Sequence, residues 1–398
     1  MRRLSEAAYR LKGQEMFKIL ARAKELEKEG KKILHFELGD PGFPSPDIAL
    51  QEIYSSIKNG ETHYTISSGI DDLRNQVSIF IENSRGFRPD KEQVLITPGA
   101  NIQIFYAVAC IANPGDEVIV PDPGFVSYFS IIDFCGVKAV RVPLREENNF
   151  RLNPQDVENA ITERTKMIII NSPSNPTGSV MTPEEIEKIY EIVKKYDLFL
   201  VTDEIYRDII YTNEFPSSPS KFDKCKERTI IIDGVSKRYS MTGWRLGFMI
   251  APEKLIEKMG LLLETTSSCV SPFIQRAVIP VLKKDKAISI ENVNELKKRR
   301  DLLVQGLNSL PGIKCLNSDG AFYVFPNIKN TGMTGRKFAE YMLEKAGVAL
   351  SPGDIFGMYA DDYVRFSYAT STLEEIQEAI KRMRNILTKL LEQQNQDL

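Results

Sequence analysis

The stretch DGVSKRYSMTGWRLGF, Asp233 to Phe248, sets Lys237, Arg238 and Arg245 among hydroxyls between two apolar runs, Thr229–Ile232 and Leu246–Ile250, that read as strands. A lysine near other cations and apolar walls has a lowered pKa and acts as nucleophile and proton shuttle. Other strand-like runs also end in residues with chemistry. Val94–Thr97 leads into Pro98-Gly99-Ala100-Asn101 at a helix start. Backbone N–H groups and the helix dipole favour a phosphate there, although Pro-Gly before a helix is also an ordinary turn. Lys166–Ile170 leads into Asn171-Ser172-Pro173-Ser174-Asn175-Pro176-Thr177-Gly178, in which Asn-Pro is a candidate cis bond. Leu198–Val201 leads into Thr202-Asp203-Glu204-Ile205-Tyr206.

One phosphate seat, one carboxylate, one phenol, one amide and one lysine suit an aromatic nitrogen cofactor whose chemistry begins with a lysine Schiff base. An acid beside a pyridine nitrogen keeps it protonated and makes the ring an electron sink. A phenol and an amide hydrogen-bond the ring oxygen.

The elements that must position these groups are legible as a rhythm of strand and helix. Besides the runs above, Glu117–Val120 reads as a strand closed by Pro121. Thr182-Pro183-Glu184-Glu185 gives an N-cap, a proline at the first helical position and a capping-box glutamate, with Ile186, Ile189, Tyr190 and Val193 on one face. This alternation predicts an α/β fold: a large domain with a mostly parallel sheet between helices. A smaller α+β domain is expected from the N- and C-terminal segments. The expected limits are 1–48 for the N-terminal part of the small domain, 49–285 for the large domain and 286–398 for the C-terminal part. Within the small domain, strands are expected at Lys314–Leu316 and Phe322–Phe325, and a closing helix capped by Thr372 and Glu375 carries Ile376, Ile380, Met383 and Leu387 inward. The end, EQQNQDL, reads as a frayed tail.

Composition narrows the function. With 398 residues, 42% hydrophobic and 27% charged, this is an ordinary globular chain, and two domains are the default. A net charge of -2 provides no field for steering nucleic acid. No apolar run approaches a membrane span, and the N-terminus, MRRLSEAAYRLKGQEMF, lacks an apolar signal core. Five cysteines without a CxxC suggest reduced thiols in a cytoplasmic protein. The two histidines, His35 and His63, lack ligand-spaced partners, so no metal centre or His-based triad is expected.

Taken with these residues, the chain resembles the fold-type I aminotransferases that use pyridoxal 5′-phosphate, in the subgroup containing bacterial aspartate and aromatic aminotransferases. The resemblance runs from about Leu34 to Arg384, and S-K-x-Y-x-M-T-G-W-R-L-G is its most specific piece. It implies that the sheet of the large domain has seven strands, that Lys237 carries the cofactor as an aldimine and moves the proton at the α-carbon, and that Arg245 pairs with the phosphate. It casts Asp203 as partner of the pyridine nitrogen, and Tyr206 and Asn175 as donors to the ring oxygen. Gly99, Ala100 and Asn101 form the phosphate seat, Asn101 standing where relatives often carry Ser, Thr or Lys. Ser236 supplies a phosphate contact or only packs; Gly234 replaces a hydroxyl common in relatives. Phe125 in P-D-P-G-F-V-S-Y stacks on the pyridine or is an ordinary core ring, with Tyr128 close by.

By the same resemblance Arg365 in Y-V-R-F-S-Y-A grips the substrate α-carboxylate, Gly39 closes over it, and Tyr64 in H-Y-T-I-S-S-G reaches the phosphate of the neighbouring subunit of a homodimer. The implied function is transfer of an amino group from an L-amino acid to a 2-oxo acid by a ping-pong mechanism. Another reaction of the same cofactor, of C–S β-lyase or cyclopropane-forming type, is the alternative. A transcriptional regulator is disfavoured by the absence of a basic helix-turn-helix extension, and a nicotinamide dehydrogenase by the absence of an early G-x-G-x-x-G. Side-chain selection is expected from the N-terminal helix, with Phe17, Leu20, Ala21 and Leu26 on one face, from the loop Thr265–Ser271, and from the segment where Ser318-Asp319 replaces the usual proline before Gly320-Ala321-Phe322-Tyr323. Most residues of that helix and of the loop Thr265–Ser271 read at least as well as packing and dimer contact.

Overall fold

The computed structural model describes residues 3–11, 13–212 and 216–396, without the side chains of 285–291 and 391–396. Its strands are β1 (Leu34–His35), β2 (Val94–Thr97), β3 (Glu117–Asp122), β4 (Lys138–Pro143), β5 (Thr165–Asn171), β6 (Phe199–Asp203), β7 (Thr229–Gly234), β8 (Gly247–Ile250), β9 (Tyr323–Val324), β10 (Val348–Ala349), β11 (Ser351–Pro352) and β12 (Val364–Ser367). Seven form one sheet in the order β2-β8-β7-β6-β5-β3-β4. Only β8 runs against the others: it pairs antiparallel with both β2 and β7, while β7, β6, β5, β3 and β4 pair in parallel. The central strands are continuous apolar runs because helices cover both faces. The helix Asn101–Ile111 packs in the core on one side, and Pro183–Lys195 buries Ile186, Ile189, Tyr190 and Val193 on the other, started by the expected Thr182–Glu185 capping box.

The small α+β part joins the two ends of the chain. β1 pairs in parallel with β10, and β11-β12-β9 make a second small sheet. The closing helix Leu373–Gln396 is capped by Thr372 and Glu375 and buries Ile376, Met383 and Leu387, with Ile380 partly buried beside them.

Local expectations are corrected at five places. β3 continues through Pro121, which pairs with Val142 of β4, a strand the apolar-run criterion misses because its residues are mostly half-buried at the sheet edge. Lys314–Leu316 forms a single bridge, Lys314 to Asn327, and no strand. Thr265, Thr266 and Ser267 lie in the helix Glu253–Ser267, so the expected loop begins at Ser268. The N-terminal helix Met16–Lys28 buries Met16, Ala23 and Leu26, while Phe17 is 53% exposed and Ala21 is exposed. The expected frayed tail is helical through Gln396, and its last two residues fall outside the described ones.

A buried ionic cluster sits at the ends of β6 and β7. Arg85, on the helix Asp71–Arg85, donates from Nε to Glu204 at 2.9 Å and from Nη2 to Asp233 at 2.5 Å. Burial opposes ionisation of Glu204, yet Arg85 and Arg207 hold it below the usual carboxylate range, whereas burial pushes Asp233 up to about 6 despite Arg85. Removing one partner of such a group strands the others in a medium that solvates them poorly. Arg85→Leu should therefore cost about 3–5 kcal/mol in denaturant unfolding. An unchanged profile would show that Arg207 alone balances the two acids.

Candidate active site

Ligands of open α/β sheets gather beyond the carboxyl ends of the strands. Here β2, β5, β6 and β7 deliver Thr97, Asn171, Asp203 and Gly234 to that edge, and the segments after them line a cavity of about 360 Å³. Its lining includes Gly39, Ala100, Asn101, Phe125, Asn175, Asp203, Tyr206, Ser236, Lys237, Arg245 and Arg365, so residues distant in sequence and expected to act together do meet. Gly99 precedes Ala100 and Asn101 with a φ of +83°, a left-handed backbone that favours glycine, and the Arg245 guanidinium lies against it. Tyr64 is apart from the cavity. It is 87% exposed and borders a shallow depression with Thr65, Ile66, Ser67, Glu264 and Ser268.

Lys237 donates from Nζ to the Gly39 carbonyl at 2.7 Å. Burial pushes its ammonium down to about 8; Asp40 opposes that, and the charges of Arg365 and Arg245 add to it. Asp203 accepts from the Tyr128 hydroxyl at 2.6 Å on Oδ2 and from the Ile205 amide at 3.2 Å on Oδ1. Burial still raises its carboxyl to about 6. The Tyr206 and Tyr323 hydroxyls lie 2.8 Å apart, and burial, reinforced by that contact, holds Tyr206 well above the usual phenol range.

Arg365 is 1% exposed. Its Nη1 donates to Oδ1 of Asn175 at 2.9 Å and its Nη2 to the Glu37 carbonyl at 2.6 Å, while its buried Nε has no partner. Arg245 donates from Nη1 to the Thr242 carbonyl at 2.8 Å and turns Nη2 toward Gly99. The helix that starts at Asn101 has first-turn amides without intrahelical acceptors.

These residues fit a phosphorylated pyridine aldehyde. The seat at Gly99–Asn101 with Arg245 suits a dianion, Asp203 is a buried acid inside the cavity, and Lys237 is an amine that gives up its proton more readily than an exposed lysine. The common hydroxyl three residues before the lysine is absent for a packing reason. A Cβ at Gly234 would meet Cα of Gly247 at 2.9 Å, where β7 and β8 pair.

The family model for aminotransferase class I and II matches residues 31–383, and the chain belongs to that family. It is a pyridoxal phosphate-dependent aminotransferase of fold type I. It is 38% identical over 388 residues to an aspartate aminotransferase of Pyrococcus horikoshii, covering 96% of this chain and 97% of that one. It is 37% identical to aromatic-amino-acid aminotransferase 2 of Thermococcus litoralis, covering 89% of this chain and 92% of the relative. Among solved structures, the aspartate aminotransferase from Rhizobium meliloti superposes with a TM-score of 0.93 at 31% identity, over 98% of this chain and 99% of that one. The alternative lyase or synthase reading is not favoured by these relatives.

Several lining residues escaped sequence reasoning. Tyr323 touches Tyr206, stands under the Arg365 guanidinium at 4.6 Å, and crowds Gly39, where a Cβ would fall 2.1 Å from its hydroxyl. Its signal was the Gly-Ala-Phe-Tyr run itself. Gln14 and Met16 enter the cavity lining from the N-terminal segment beside Phe17, which the sequence had already marked for side-chain selection, so the segment contributes through residues at the helix start. Neither Ser318 nor Asp319 lines the cavity; the amides of Asp319 and Gly320 bond the Gly178 carbonyl.

Proposed function

We propose that this chain transfers the amino group of an aromatic or other apolar L-amino acid to a 2-oxo acid, in a homodimer whose two sites are shared. The observation that supports the site assignment best is the placement of Lys237, Asp203 and Arg365 in one cavity, with the Lys237 ammonium lowered to about 8 by burial. Bound pyridoxal phosphate supplies an electrophilic carbonyl carbon and a sink for the electron pair released at the substrate α-carbon. Lys237 is the nucleophile and the base that takes and returns the α-proton. Asp203 holds the ring-nitrogen proton, and Tyr206 and Asn175 orient the ring oxygen. Phe125 provides a flat wall, and Ser236, Arg245 and the Gly99–Asn101 seat bind phosphate. Arg365 orients the α-carboxylate through its planar fork, with Gly39 above it.

Relatives are named for aspartate and for aromatic amino acids. Among the described lining residues the cations are Lys237, Arg245 and Arg365, each engaged by the cofactor or the α-carboxylate in this reading. The rest of the wall offers Met16, Phe17, Leu38 and Ile104 with the amides of Gln14 and Asn101, which suits an apolar side chain. A screen pairing each common amino acid with 2-oxoglutarate, pyruvate and oxaloacetate, followed by loss of the yellow cofactor absorbance, should rank phenylalanine and tyrosine above aspartate. Aspartate as the best donor would overturn the side-chain assignment.

Arg365→Lys keeps the charge and loses the fork. All donors should weaken together in kcat/KM by about 10- to 100-fold, the scale of lost charge-assisted hydrogen bonds, with their ranking kept. Loss confined to one donor would mean that Arg365 reads a side chain.

The exposure of Tyr64, with Ile66 and Leu261 each 53% exposed, suits a face covered by a second copy, across which Tyr64 would serve the partner's phosphate. Mixing Lys237→Ala with a Tyr64→Ala variant tests this. If Tyr64 acts across the interface, one site of the mixed dimer holds both defects and the other none, so activity should rise above either parent. No recovery, or an active monomer by light scattering, would contradict the shared site. The domain limits 1–48, 49–285 and 286–398 are part of the same reading, supported by the β1–β10 pairing. So is a cytoplasmic location, which suits free cysteines; recovery in a secreted fraction would oppose it.

A further inference from the structure

We propose that Tyr128 is the positioning residue of Asp203, its phenol clamping the carboxylate from the side away from the cavity by the 2.6 Å hydrogen bond to Oδ2. The inference rests on the reading of Asp203 as the ring-nitrogen partner. Tyr128 stands on the helix Val126–Phe134, is fully buried and does not line the cavity, so it reaches the cofactor only through its neighbours. Its ring meets Phe125 edge-on, with centroids 5.6 Å apart at 87°. One side chain thus braces both the acid and the flat wall. With Ile205 N–H on Oδ1 and Tyr128 O–H on Oδ2, each carboxylate oxygen has a fixed donor and the plane of the group cannot swing.

The surroundings make that donor consequential. Asp203 is faced by Asp233 from β7 and Glu204 from its own chain direction, both tied to Arg85, and by Lys237 and Tyr206 at the cavity. Burial and the two acids favour the neutral carboxyl, which cannot act as a counter-charge; the Tyr128 and Ile205 hydrogen bonds favour the carboxylate. Burial and the nearby Asp203 charge hold the Tyr128 phenol well above its usual range, so it stays a donor at working pH.

Tyr128→Phe deletes one O–H and keeps the ring against Phe125. In the apoprotein, infrared difference spectra over pH, with the Asp203 band assigned by Asp203→Asn, should show its protonation midpoint rising by about one to two pH units, the tenfold-per-unit equivalent of a lost hydrogen bond to a charged group. In the loaded enzyme the acid limb of kcat should move up by the same distance, so that from a midpoint near 6 kcat at pH 7 falls about 2- to 10-fold and below pH 6 about 10- to 100-fold, with KM nearly constant. In an Asp203→Asn background Tyr128→Phe should add little. An unmoved apoprotein midpoint overturns the proposal whatever the cofactor does. A full additional loss in the Asp203→Asn background also overturns it, because the effect would then come from packing on Phe125. Wild-type turnover by Asp203→Asn alone would instead sink the cofactor assignment of Asp203, and this proposal with it.

Discussion

Lys237→Ala is expected to lower kcat/KM by about 10⁴-fold, the upper end of what a positioned proton-transfer group contributes, while the variant still binds pyridoxal phosphate. Retention follows from the geometry, because the phosphate seat at Gly99–Asn101 and Arg245 is built from residues that do not depend on the lysine. The loss is large because two jobs share one amine: attack on the cofactor and movement of the α-proton. Wild-type apoprotein gives the matching pH signature. Burial lowers the Lys237 ammonium to about 8, so the neutral, reactive fraction grows as pH rises through that value. Cofactor capture should therefore accelerate between pH 7 and about 9, whereas an ordinary exposed lysine would still be almost fully protonated there. A capture rate flat across that window would show that another group limits the reaction. Near-normal turnover by Lys237→Ala would remove the residue from the chemistry.

Asp203→Asn is the second large effect. The substitution preserves shape and one acceptor for Tyr128 but removes the charge that keeps the ring nitrogen protonated. The deprotonation step, read as a single half-reaction by stopped flow, should slow about 10²–10³-fold, as for loss of one preorganised electrostatic partner. KM should change little, since the substrate carboxylate is held elsewhere by Arg365. An unchanged half-reaction would mean that the carboxylate at the end of β6 is structural, like Glu204 beside it.

The sheet was legible where residues were buried on both faces. Thr229–Ile232 and Lys166–Ile170 are runs that only a covered strand tolerates, and β7 and β5 fall on them. The edge strand β4 carries Lys138, Arg141 and mostly half-buried positions, so no periodic signal marks it. The site was legible where a motif brings several groups together within a few residues, as in Thr202–Tyr206. It was not legible where contacts join distant segments. That Tyr128 would point at Asp203, 75 positions away, or that Tyr323 would meet Tyr206 depends on how the helix Val126–Phe134 and β9 dock, which no local pattern encodes. The N-terminal helix was legible only in part, for a related reason. Sequence periodicity gave it an apolar face of Phe17, Leu20, Ala21 and Leu26; the docked face runs through Met16, Ala23 and Leu26, so only Leu26 is shared, while Phe17 is exposed and lines the cavity.

The central claim, that the chemistry begins on Lys237, is tested most directly by reducing the yellow, cofactor-loaded protein with borohydride, digesting it and locating the added mass. The cofactor should be found on the peptide containing Lys237 and should be absent from the same digest of Lys237→Ala. Attachment to any other lysine, or an unlabelled digest from a fully active preparation, would contradict the account.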